Sequence, residues 1–198
     1  MKKILAVNGS YRKDGITDQT LEAFARAANT IGAEVEIILL RDYPIEFCRN
    51  CRECTQQPGD RPGTCILYDG MEQLIETIEQ ADGYILASPT TCYSATALFK
   101  RFQERLVAYA YWPWDMNAPQ LRKAGMPRKK AIVVSSCAAP GPMGKWLYHT
   151  HRQLKNTSKA IGAEVVGSIF TGLIAKDPHA ALPERVQIKI SKMVARLG

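Results

Sequence analysis

Short apolar runs alternate along the chain with stretches whose apolar positions recur every three or four residues. Residues 3–8 form the first run, closed by Gly9, as in a strand buried on both faces. Leu21, Phe24, Ala25, Ala28 and Ile31 then mark one stripe of a helix over 17–31, with Gly32 at its C-terminal stop. Residues 34–40 predict a second strand, 70–81 a second helix and 83–88 a third strand. Over 94–110, Leu98, Phe102, Leu106 and Tyr109 fall on one side of a helix. Strands four and five are predicted at 130–135 and 164–170, and further helices at 143–161 and 183–196. Strand and helix alternate throughout, which predicts one α/β domain over 1–198 with a parallel sheet, helices on both faces and right-handed crossovers.

Two stretches keep neither period. One is 111–128, rich in Trp, Pro and Gly. The other is 41–69, which carries four cysteines, three prolines and two glycines. A loop that long inside a compact domain points to function or disorder. The first strand is followed by Gly9-Ser10-Tyr11-Arg12-Lys13-Asp14-Gly15, which lacks the G-x-G-x-x-G of the dinucleotide-binding fold. Of the common doubly wound arrangements, the five-strand order 2-1-3-4-5 is therefore expected.

Composition narrows the setting. With 198 residues, 46% hydrophobic and 23% charged, the chain can bury a substantial core. No apolar run approaches the roughly 20 residues of a membrane span. The opening run breaks at Asn8, too short for a signal peptide, so a cytoplasmic protein is expected. The formal charge of +7 is scattered and accompanies no nucleic-acid motif. Its densest part, Arg122-Lys123 and Arg128-Lys129-Lys130, reads as solvated loop flanking a strand. Such a charge favours anionic cofactors over nucleic acid. No acid–base pair of side chains stands out, which suits chemistry carried by a cofactor.

The loop after strand one has the means to hold a phosphate. Ser10 and Thr17 offer hydroxyls, Arg12 a forked cationic donor, and Gly15 and Ile16 the N–H groups that open the first helix. Thr17 as an N-cap and Ser10 as a turn residue are the competing structural roles. The pattern G-S-x-R-x-x-G-x-T resembles the phosphate loop of the NAD(P)H-dependent FMN reductases of flavodoxin fold. Residues 88–105, opening Ser88-Pro89-Thr90-Thr91-Cys92-Tyr93, resemble that family's second flavin loop and its following helix. Ser135-Ser136-Cys137-Ala138-Ala139-Pro140-Gly141 stands where the family has its third, small-residue loop.

The resemblance implies a flavodoxin-like three-layer sandwich that binds FMN and uses NAD(P)H as co-substrate. It implies a phosphate on Ser10, Arg12, Gly15, Ile16 and Thr17. It implies a flavin ring against Pro89, Thr90, Thr91, Cys92 and Tyr93, with Ser136, Cys137, Ala138 and Gly141 near its other side. It also implies a homodimer or homotetramer passing electrons to a small acceptor or a redox protein. A flavodoxin-like electron carrier without enzymatic activity is the alternative.

Cys48-x2-Cys51-x2-Cys54-x10-Cys65 is the sharpest local signal. Thiolates spaced i, i+3, i+6 and one from a later turn suit a [4Fe–4S] cluster. Zinc, a redox disulfide and a metal-free loop remain open from the residues alone. The compact motif between the second strand and second helix, with Asp69-x-Met71 after it, resembles the iron–sulfur flavoprotein branch of the same family. Its last gap, Thr55 to Thr64, is longer than that branch usually has. The resemblance implies Cys48, Cys51, Cys54 and Cys65 as the ligands. Cys92 and Cys137 read as buried small hydrophobes.

Overall fold

A computed structural model describes residues 1–140, 144, 147–173, 177 and 179–197. Strands β1 (Lys2–Asn8), β2 (Ala33–Leu39), β3 (Gly83–Thr91), β7 (Lys129–Ser136) and β8 (Ala163–Thr171) form a parallel sheet in the order β2-β1-β3-β7-β8. That is the 2-1-3-4-5 order expected from the pattern. A short strand β4 (Ser94–Ala95) folds back antiparallel on the end of β3. A separate pair, β5 (Ala110–Tyr111) and β6 (Gln120–Leu121), closes the aromatic segment.

The helices are α1 (Ile16–Asn29), α2 (Met71–Gln80), α3 (Ala97–Arg105), α4 (Thr150–Ala160) and α5 (Glu184–Val194). Alternation along β1 decides which layer each residue joins. Leu5 and Val7 pack with Leu74 and Ile78 of α2, Phe99 and Phe102 of α3, and Leu154 of α4. Ile4 and Ala6 pack with Leu21 and Phe24 of α1 and with Val186, Ile190 and Met193 of α5. Three helices therefore cover one face and two the other, giving the flavodoxin-like three-layer sandwich.

The predicted boundaries need adjusting at several ends. The helix predicted over 94–110 is α3 only from Ala97 to Arg105, after which Leu106–Tyr109 tighten into a 3-10 turn. Leu106 and Tyr109 stay buried on the same side, so their hydrophobic period continues after the hydrogen bonding has changed. The start of the helix predicted from 143 lies outside the described residues, and α4 begins at Thr150.

The basic runs beside β7 are solvated only in part: Arg128 is exposed, whereas Arg122, Lys123 and Lys129 are tied into the fold. Arg122 is buried and donates to the carbonyls of Ala108, Gly59 and Cys54. Lys123 pairs with the Glu79 carboxylate, and Lys129 Nζ donates to the Glu79 carbonyl at 2.7 Å. These cations tie the β6–β7 connection to the end of α2 and to the cysteine loop. No described helix is long and apolar enough to cross a membrane.

Candidate flavin and metal sites

The first site lies at the carboxyl ends of β1 and β3, where the strand order reverses and open α/β sheets bind their ligands. A cavity of about 270 Å3 there is lined by Ser10, Tyr11, Arg12, Gly15, Ile16, Thr17, Pro89, Thr91, Thr96, Ser136, Asp177 and Ala180. Gly15 is the N-cap of α1 and supplies no capping side chain. The N–H groups of the first turn thus open toward the cavity without an internal partner. Thr17 lies inside the helix and is not its cap.

The loop that leads into α1 is held from behind. Asn8 and Asp18 are buried, and Asn8 Nδ2 donates to Asp18 Oδ1 at 2.7 Å. The Ser10 N–H donates to Asn8 Oδ1 and the Asp14 N–H to Asp18 Oδ2. Arg41, just after β2, makes two bonds to the Asp18 carboxylate, at 3.1 and 2.9 Å. Its Nη1 also donates to the carbonyls of Ser10 and Arg12. Gly9 is needed for another reason: a Cβ there would come within 2.8 Å of Phe99 Cβ, because the loop runs against α3. Thr96 Oγ1 donates to the Gly9 carbonyl at 2.6 Å and fixes that approach.

The structure gathers Ser10, Arg12, Gly15, Ile16, Thr17, Pro89, Thr91 and Ser136 around this one cavity. Ser136 contributes a buried hydroxyl with no partner, as do its strand-end neighbours Ser135 and Thr171. Such orphaned hydroxyls suit a polar ligand.

The other expected flavin contacts stand away from the cavity lining. Thr90 Oγ1 pairs with Thr150 Oγ1 at 2.8 Å. Cys92 and Tyr93 are exposed, with φ of 49° and 65°. Cys92 therefore departs from its expected burial, whereas Cys137 is buried and its thiol donates to the Ala139 carbonyl. Ala138 is exposed, and Gly141 lies outside the described residues.

Tyr11, Thr96, Asp177 and Ala180 are cavity residues that the sequence pattern did not single out. Gln19 explains the last: its amide donates to the Ala180 carbonyl and its Oε1 accepts from the Leu182 N–H, drawing that distant segment onto α1.

The second site is the cysteine loop. Cys48, Cys51, Cys54 and Cys65 line one small cavity together with Arg105. All are free thiols. Burial pushes the Cys54 thiol up to about 11, and the nearness of Cys65, Cys48 and Cys51 adds to the rise. Among the described residues, no three His, Cys, Asp or Glu side chains form a group that could hold a metal ion as they stand.

The long gap before Cys65 folds back on itself. The Gly63 N–H donates to the Ala108 carbonyl, and a Cβ at Gly63 would overlap the Cys54 carbonyl. Arg122 bridges the carbonyls of Gly59 and Cys54. The extra residues are thereby looped out, and Cys65 still returns to the other three thiols. The aromatic segment braces the other side. Arg52, at φ 62°, stacks over Trp112 and Trp114 at 3.8 and 4.3 Å and donates to the carbonyls of Trp112 and Pro113.

Arg105 carries only 1% side-chain exposure. It grips Asp69 through both terminal nitrogens, at 2.6 and 3.0 Å, and also donates to the Glu46 carbonyl. Burial works to raise the Asp69 carboxyl. Hydrogen bonds from Arg105 and from the N–H groups of Glu46 and Met71 outweigh it and hold the group below its ordinary range.

A family profile described as NADPH-dependent FMN reductase matches residues 2–170. The chain belongs to that family. Among curated relatives, an iron–sulfur flavoprotein of Archaeoglobus fulgidus is 32% identical over 111 residues, covering 56% of this chain and 48% of the relative. An FMN-dependent NADH:quinone oxidoreductase of Mycoplasma mobile is 26% identical over 133 residues, 64% of this chain and 65% of its own. This FMN reductase family member spans about half the length of the first iron–sulfur flavoproteins it matches. Among solved structures, an NAD(P)H:quinone oxidoreductase from Methanothermobacter marburgensis superposes with a TM-score of 0.73 at 17% identity, over 100% of this chain and 99% of that one. That likeness bears on the fold.

Proposed function

We propose that the protein is an NAD(P)H-dependent flavin oxidoreductase that holds FMN at the β1–β3 switch point and a [4Fe–4S] cluster on Cys48, Cys51, Cys54 and Cys65. The observation that carries the flavin reading is the cavity at the strand ends, with an uncapped helix N-terminus on one side and the unpartnered Ser136 hydroxyl on another. Ser10, Arg12 and the first-turn N–H groups of α1 would hold the phosphate. Pro89 and Thr91 would border the ring, with Cys92, Tyr93 and the Cys137–Gly141 loop beside it.

Bound FMN supplies hydride acceptance from NAD(P)H and release of electrons one or two at a time. The chain's part is to bind, orient and shield it. The Asn8–Asp18–Arg41 network keeps the phosphate loop in its receiving shape. In this reading the acceptor is a small molecule such as a flavin or quinone, or a redox protein, and the protein is a homo-oligomer.

For the cysteine loop, the donor set fits a cluster. Four thiols share one cavity with a buried guanidinium, and four thiolates are the ligand number of a [4Fe–4S] cluster. Zinc would need the four sulfurs at about 2.3 Å from one ion.

The test is the absorbance spectrum of protein purified without oxygen, with iron, sulfide and NAD(P)H oxidation assayed on the same sample. Flavin bands, about four irons per chain and steady NAD(P)H oxidation support the proposal. Flavin without iron removes the cluster. Flavin without NAD(P)H oxidation leaves an electron carrier.

A further inference from the structure

We propose that Arg105 sets the reduction potential of the cysteine-loop cluster through its contact with the Cys65 sulfur; the inference rests on the cluster reading above. Arg105 Nη2 stands 3.4 Å from Cys65 Sγ and donates to it. Hydrogen bonds to the ligand sulfurs are among the terms that fix cluster potentials.

Two N–H groups are described as donating to the four sulfurs. One is the Asn50 backbone N–H on Cys48, at 3.4 Å, which carries no charge. The other belongs to Arg105, a guanidinium buried almost completely. Arg122, the other buried cation nearby, spends its donors on carbonyl oxygens and reaches no sulfur. Arg105 is therefore the point where a full positive charge meets a cluster ligand away from water.

Asp69 keeps that charge in place. Its two oxygens take both terminal nitrogens and leave Nη2 aimed at Cys65 as well. The Glu46 carbonyl holds Nη1 from a second direction. The guanidinium thus cannot swing away without losing three partners, and it stays protonated throughout. An electron added at the cysteine-bound centre raises the negative charge on its sulfur ligands. Arg105 meets that charge with an N–H and a cation, so the reduced form is favoured and the potential rises. No proton moves at Arg105 in this step. Only the electron is transferred, supplied by dithionite in the test.

The experiment is an anaerobic dithionite titration of the FMN-loaded protein, following the cluster by electron paramagnetic resonance and the flavin by absorbance. Arg105→Gln is expected to weaken cluster reduction about tenfold, which is about 59 mV for one electron. Iron content and the flavin potential should not change. Arg105→Lys, which keeps the charge and loses the fork, should recover part of the shift. Because removing Arg105 alone strands the Asp69 carboxylate, Arg105→Leu with Asp69→Leu is the second variant, and a smaller shift in the same direction is expected from it, since the N–H is lost while a negative charge leaves with the positive one. A cluster midpoint that stays at the wild-type value in either variant overturns the inference. So does a flavin midpoint that moves equally, since that marks a general structural loss. Wild-type protein with flavin but no iron or sulfide overturns the cluster reading itself, and the inference with it.

Discussion

Arg12 is the side chain whose role in the flavin cavity is easiest to isolate. It lines the cavity from an exposed position, and no described hydrogen bond ties its guanidinium into the fold. Ser10 differs, because its Oγ accepts from the Arg12 N–H at 3.2 Å and so also shapes the loop. Arg12→Ala should therefore leave the melting temperature unchanged and weaken FMN binding about tenfold, roughly 1.4 kcal/mol, as an exposed charge-assisted contact allows. Fluorescence titration of apoprotein with FMN measures this, and an unchanged Kd would remove Arg12 from the phosphate site. Ser10, Arg12 and Thr17 were visible in the sequence because they lie close together along the chain and carry the right donors. Asp18 and Arg41 were not, since they are 23 positions apart and only the β1–β2 pairing brings them together. Arg105 was hidden for the same reason: its burial against Asp69 and Cys65 depends on α3 crossing the cysteine loop.

Among the elements, the strands were the most legible. A parallel strand covered on both faces has to be almost continuously apolar, and such runs stand out against the helical period. Less legible were elements whose side-chain period outlasts their hydrogen bonding, as at the end of α3, and the two-residue strands β4, β5 and β6, which are too short to show a period. The connection from β1 to α1 shows how elements stabilise a loop that has no period of its own. The Arg41–Asp18 pair has side-chain exposures of 11% and 8%, so little water screens it, and breaking it leaves the buried guanidinium with only the exposed Asp42 carboxylate, at 3.5 Å. Asp18→Ala should cost about 3 kcal/mol, read as a fall in Tm of roughly 9 °C for a chain of this size. It should also loosen FMN binding. The Glu22–Arg26 pair further along α1 is the control: its side chains are 55% and 67% exposed, so Glu22→Ala should change stability by less than about 0.5 kcal/mol. Equal effects from the two variants, in thermal melts under the same buffer, would show that the loop does not depend on its brace.

On the scale of the whole molecule, α3 joins the two sites. Its N-cap, Thr96, lines the flavin cavity, and its last residue, Arg105, lines the cysteine cavity. Nine residues at 1.5 Å each separate the two ends by about 13 Å. The two cavities lie toward opposite ends of this one helix and share no lining residue. The supports of the flavin loop come from Asn8, Asp18 and Arg41, whereas those of the cysteine loop come from Arg52, Asp69, Arg105 and Arg122. Perturbations at sites with no common partner add nearly independently. Cys51→Ser tests this separation together with the ligand assignment. Serine is a poor iron ligand but matches cysteine in size, so the loop should keep its course while the cluster is lost. Iron and sulfide per chain should fall to near zero, and the FMN Kd should stay within about twofold of wild type. Iron retained at the wild-type level would remove Cys51 from the ligand set. Flavin lost along with the iron would show instead that the cysteine loop is a structural support of the flavin cavity, reached through α3.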